Sequence, residues 1–82
     1  MIKDNATRAV LRKYMRRVIA DNVREARQRA GMTQREVAQL VAGAHESYIR
    51  GVEAGTKDVS LVRAIEIADV LGISLVDLVK GL

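Results

Sequence analysis

The chain has no cysteine, no proline, no phenylalanine and no tryptophan, and a single histidine. Each absence removes a class of solution. Without cysteine, neither a disulfide nor a thiolate metal site supplements the core, and one histidine does not build a zinc site alone. The expectation is a chain without metal or cofactor, in a composition compatible with the reducing cytoplasm. Without Phe or Trp, the core must come from Val, Leu, Ile, Ala and Met, which suits packed helices better than a sheet. No apolar run is long enough to span a bilayer. Arg12 and Lys13 follow directly on Val10 and Leu11, so the uninterrupted apolar stretch of a secretory signal is missing. An Arg-rich, amphipathic start with one acid does share features with organelle transit peptides. No glycine-rich phosphate loop occurs. At 82 residues the chain makes one domain.

Charge is present but unevenly placed. Residues 1–18 carry Lys3, Arg8, Arg12, Lys13, Arg16 and Arg17 against the single acid Asp4, a net of +5. Residues 19–82 hold eight basic and nine acidic side chains, a net of −1, and the whole is +4. The basic character therefore belongs to an N-terminal extension, residues 1–18, and not to the domain that follows, residues 19–82.

Caps and apolar spacing predict five helices. In the extension, Val10, Tyr14 and Val18 share one face with Leu11 and Met15 beside it, and Arg8, Arg12 and Arg16 lie opposite. This reads either as a separate basic helix or as a continuation of helix 1, with Asp21-Asn22 as the place where a fresh start would be capped. Helix 1 carries Ile19, Val23, Ala26 and Ala30, and Gly31 ends it. Thr33 and Glu36 form a capping box that opens helix 2, which the spacing runs to about Ala42. Helix 3 is expected from about Glu46 to Ala54, between Gly43 and Gly55. Ser60 caps helix 4, with Leu61, Ala64, Ile65, Ala68 and Leu71 read as inward. Ser74 and Asp77 form a second capping box for a short last helix.

Helix 2, a glycine-containing turn and helix 3 have helix-turn-helix spacing. Three segments, "ARQRAGMTQREVAQL", "SYIRGVEAG" and "SLVRAIEIADVLGISLVDLV", come in the order of the phage-repressor-like, Cro-type (XRE) helix-turn-helix domain, which the sequence resembles over roughly residues 19–80. The resemblance implies an all-α, five-helix, lambda-repressor-like domain, here with an additional basic N-terminal helix. It implies a sequence-specific regulator of transcription that binds double-stranded DNA. One residue more than the usual number lies between Ala38 and Gly43, which leaves the angle between helices 2 and 3 open.

By that resemblance, the outer residues of helix 3 (Glu46, Ser47, Arg50 and Gly51) read base edges. A carboxylate repels phosphate but accepts from the amino group of cytosine, a contact worth about 1–3 kcal/mol when well made. The other reading of Glu46 is that of an acid in a helix's first turn, where the dipole favours it. Gln34, at the start of helix 2, is implied to hold a phosphate, with Arg35, Tyr48, Thr56 and Lys57 as further backbone contacts. Glu53 is implied to pair with Arg27 as architecture. Arg8, Arg12, Arg16 and Arg17 are expected along the DNA backbone, supplying charge that the net-negative domain lacks. The other use of that helix is to dock its apolar face on the domain or on a protein partner.

His45 reads as a turn residue before helix 3. His45 and Ser47 do not share a helical face, and no orienting acid accompanies them, so no enzyme is expected. Leu75, Val76, Leu78, Val79 and Leu82 exceed what one small core takes up, and their expected use is a two-fold homodimer interface. Such a dimer sets two recognition helices about 34 Å apart on a palindromic operator, with repression as the expected outcome. A protein-interaction module, in which DNA binding is incidental, is the alternative from another class.

Overall fold

The computed structural model describes residues 4–82, so Lys3 of the basic extension lies outside the described residues. Five helices follow in order: α1 (Asn5–Arg29), α2 (Gln34–Leu40), α3 (Glu46–Ala54), α4 (Leu61–Leu71) and α5 (Leu75–Leu78). Among the described residues none is long and apolar enough to cross a membrane. The extension and helix 1 are one helix of 25 residues, about 37 Å at 1.5 Å rise per residue. Asp21-Asn22 does not interrupt it. Asn22 instead donates to the Leu78 and Lys80 carbonyls at 2.8 and 2.9 Å, tying the C-terminal segment to α1. Asp21 accepts from Arg24 at 2.8 Å. The true cap is Asp4, which accepts from the Ala6 amide at 3.1 Å and the Thr7 hydroxyl at 2.7 Å.

Both predicted capping boxes close, at Thr33/Glu36 and at Ser74/Asp77. Ser60 accepts from the Arg63 amide at 3.1 Å. Helix α2 stops at Leu40, short of the expected Ala42. Val41 turns to extended backbone (φ −95, ψ 119) and keeps its side chain buried. Gly43 then bends the turn with φ 69.

Val23, Ala26, Val37, Val41, Ile49, Val52, Ala64, Ile67, Leu71 and Leu78 meet in one core between the helices. Full burial of a side chain such as Ile49 or Ile67 contributes about 1.5–3 kcal/mol. On α4, Ala64, Ala68 and Leu71 face inward, but Leu61 and Ile65 are 65% and 50% exposed, and Ile67 takes the central place. The inward stripe is 64, 67, 68 and 71; it is centred away from Ile65, and Leu61 sits in the first turn beyond it. Leu78 fills the core of its own chain, which removes it from the expected dimer surface. Leu75 packs against that core and Val79 is half-buried, leaving only Val76 and Leu82 of that group outward.

Candidate nucleic-acid interface

A buried ion pair ties helix α3 to α1 beside the apolar contacts of Ile49 and Val52. Glu53, at 5% exposure, accepts from Arg27 of α1 twice, from Nε at 2.6 Å and from Nη2 at 2.9 Å. The third arm of the guanidinium, Nη1, donates to the Met32 carbonyl at 2.8 Å. The pairing holds Arg27 above its ordinary range, mainly through the hydrogen bond to Glu53, against the opposing effect of burial. Gln34 completes the network by donating to Glu53 Oε1 at 3.2 Å. One amide hydrogen of Gln34, the residue expected at a phosphate, is thus engaged by the ion pair, while the residue itself stays partly exposed.

With Ile49, Val52 and Glu53 inward, Glu46, Ser47 and Arg50 project from the opposite side of α3. Arg50 Nη2 donates to Glu46 Oε2 at 2.6 Å, one turn along the helix. The outward face of α3 thus carries a neutralised pair and a hydroxyl. His45 is the N-cap residue and makes no side-chain capping bond.

Three other expected contacts have different surroundings. Gly51 does not face outward freely. A Cβ there would stand 2.6 Å from Lys57 Cγ, so the missing side chain is what lets the lysine stem cross α3. Thr56 closes the helix: its amide and hydroxyl both donate to the Gly51 carbonyl, at 3.0 and 3.2 Å. Tyr48 packs half-buried against the core, with the Arg63 guanidinium 5.7 Å from its ring centroid. That burial pushes its hydroxyl pKa up. Arg63 also donates to the Ala42 carbonyl and so braces the turn before α3. Arg35 and Lys57 are exposed, and so are Arg8 and Arg12.

Arg16 and Arg17, expected along the DNA backbone, both make bonds within the chain. Arg16 Nε pairs with Asp58 Oδ1 at 2.7 Å, and this bond holds the Asp58 carboxyl below its usual range. Arg17 Nη2 donates to the Ala54 carbonyl at 2.6 Å, at the end of α3. Asp58, Arg63, Tyr14 and Asn22 carry structural bonds that nothing in their local spacing announces. Tyr14, for example, donates to the Gly81 carbonyl at 2.6 Å, 67 residues away.

A helix-turn-helix family profile matches residues 23–78. The chain belongs to the XRE-type helix-turn-helix family, DNA-binding regulators of transcription. A relative is the HTH-type transcriptional regulator y4dJ of Sinorhizobium fredii, 32% identical over 65 residues, which are 79% of this chain and 83% of that one. Among solved structures, the restriction-modification controller protein C.AhdI of Aeromonas hydrophila superposes with a TM-score of 0.75 at 33% identity, over 80% of this chain and 94% of that one. A hypothetical transcription factor from Neisseria gives a TM-score of 0.74 at 29% identity, over 79% and 74%. The helix-turn-helix of this chain is α2, the Val41–His45 turn and α3. The profile begins after the whole basic extension.

Proposed function

We propose that the chain is a sequence-specific transcriptional repressor, without cofactor or enzymatic activity, that acts in the cytoplasm as a homodimer on a palindromic operator. The observation that carries this reading is the outward row Glu46, Ser47 and Arg50, on a helix braced from behind by the buried Arg27–Glu53 pair. Ser47 reads a base edge in either polarity. Glu46 accepts from a cytosine amino group, and Arg50, released from Glu46, donates to guanine or phosphate. Arg35 and Lys57 hold phosphates on either side, and Arg8 and Arg12 extend that row along the backbone. Control of restriction and modification genes is one setting for such a protein, and the likeness to C.AhdI supports it.

Support for the dimer comes from apolar surface left outside the core. Leu61, Val62 and Ile65 fall on one side of α4 and are 50% exposed or more, with Val76 and Leu82 also outward. A protein partner is the second reading for the extension, favoured by exposed Val10 and Leu11 on its free turns.

Ser47→Ala with Arg50→Ala is the test. Operator binding falls by about tenfold or more while the melting temperature is kept, at roughly 1–3 kcal/mol per well-made base contact. Unchanged binding by the double variant removes α3 as the reading helix. Val62→Glu yields a monomer in sedimentation, and a dimer that survives it places the interface elsewhere.

A further inference from the structure

The free end of a recognition helix presents a mechanical problem. The Gly51 and Val52 carbonyls accept from the Gly55 and Thr56 amides, the Ala54 carbonyl lies beyond that cap, and the loop that follows carries Lys57. Two consecutive arginines meet that end from outside. Arg17 donates to the Ala54 carbonyl at 2.6 Å. Arg16 holds Asp58, four residues further on, at 2.7 Å. Gly55 between them has φ 74, and a Cβ there would stand 2.5 Å from Arg17 Nη2, so the guanidinium is seated directly over the turn. A positive charge at a helix C-terminus is also favoured by the helix dipole. Both arginines precede residue 23, where the family match begins.

We propose that Arg16 and Arg17 are positioning residues. They fix the end of α3 and the Thr56–Asp58 loop at the angle that DNA binding uses, and they do not themselves touch phosphate. Arg16 has a second effect: it neutralises Asp58, an acid next to Lys57 that would otherwise repel the backbone. The extension thereby has two parts, an exposed basic stretch ahead of residue 16 and a clamp at 16–17. The proposal rests on α3 being the reading helix.

Salt dependence separates the two roles. Removing one phosphate-neutralising side chain reduces the slope of log affinity against log salt by about 0.9, whereas removing a positioning bond leaves it alone. The full-length chain is titrated with its selected duplex at several salt concentrations. Arg17→Met weakens binding by about tenfold, the scale of one hydrogen bond to a charged group, with the slope unchanged. Arg17→Lys recovers most of the loss, since an ammonium also donates to a single carbonyl. Arg16→Met weakens binding more than Asp58→Asn, which breaks the same bond but leaves no acid beside Lys57, and the double variant is no worse than Arg16→Met. Arg12→Met serves as the contrast and lowers the slope. A reduced slope for Arg17→Met, or affinity untouched by it, overturns the proposal. Backbone amide exchange in the free protein tests the same bond without a duplex. Gly55 and Thr56 exchange faster in Arg17→Met than in Arg17→Lys, and equal rates also overturn it.

Discussion

Removing either member of the Arg27–Glu53 pair is expected to cost a large part of the stability of the chain. A domain of this size has about 4–12 kcal/mol in total. Stranding one charge of a buried pair costs about 3–5 kcal/mol. The two directions are not equal. After Arg27→Met, Glu53, whose side chain is 4% exposed, keeps only the Gln34 amide at 3.2 Å. After Glu53→Gln, the Arg27 side chain, 15% exposed, keeps the Met32 carbonyl and has some access to water. Arg27→Met therefore belongs at the upper end of the range and Glu53→Gln at or below the lower end. At about 4–8 °C per kcal/mol for a domain this small, about 5 kcal/mol for Arg27→Met lowers the melting temperature by about 20–40 °C. The combined Arg27→Met and Glu53→Leu replacement restores much of the loss, because an apolar pair has no charge to strand. Thermal and urea unfolding followed by circular dichroism report all three. A cost under about 1 kcal/mol for Arg27→Met, or a double variant as unstable as the sum of the singles, refutes the assignment of the pair as a desolvated unit.

Thr33→Ala opens the capping box of α2 and costs about 1 kcal/mol in urea unfolding; a midpoint equal to that of the parent contradicts the cap as a contributor. Gly55→Ala forces a side chain into left-handed backbone and displaces Arg17, so it destabilises by about 1–2 kcal/mol or more, while Ala54→Gly, which only lowers helix propensity, costs less than about 1. The carboxyls of Asp58, Glu36 and Asp4 are all held below their usual range, by bonds from Arg16, Thr33 and Thr7 respectively. The unfolded chain takes up their protons first, so their contribution is complete above about pH 5 and is lost as pH falls below about 4. Asp58→Asn flattens that acid limb, and a limb of equal steepness in the variant contradicts the Asp58 share.

Local chemistry announced the helices because it acts within one turn. Thr33/Glu36, Ser60 and Ser74/Asp77 each close a cap over three residues, and all three do so in the structure. Bonds over long separations were hidden. Asn22 reads as a cap and instead holds the Leu78 and Lys80 carbonyls, more than fifty residues away. Arg16 and Arg17 look like free cations until α1 is seen to pass the end of α3. Gln34, Thr56 and Gly51 follow the family pattern in sequence, yet their polar groups or space are taken up within the fold. Composition marks the apolar surplus near the C-terminus as outward without distinguishing its members. Leu78 departs from that pattern because a four-residue helix anchors itself by burying one leucine completely, and composition does not tell which one.

Selection of bound duplexes from a random pool at two salt concentrations tests the reading of α3 most directly. The expected result is one enriched sequence with inverted symmetry, its preference over random competitor persisting at the higher salt while overall affinity falls. Enrichment of no sequence, with random competitor displacing every duplex equally well, contradicts it.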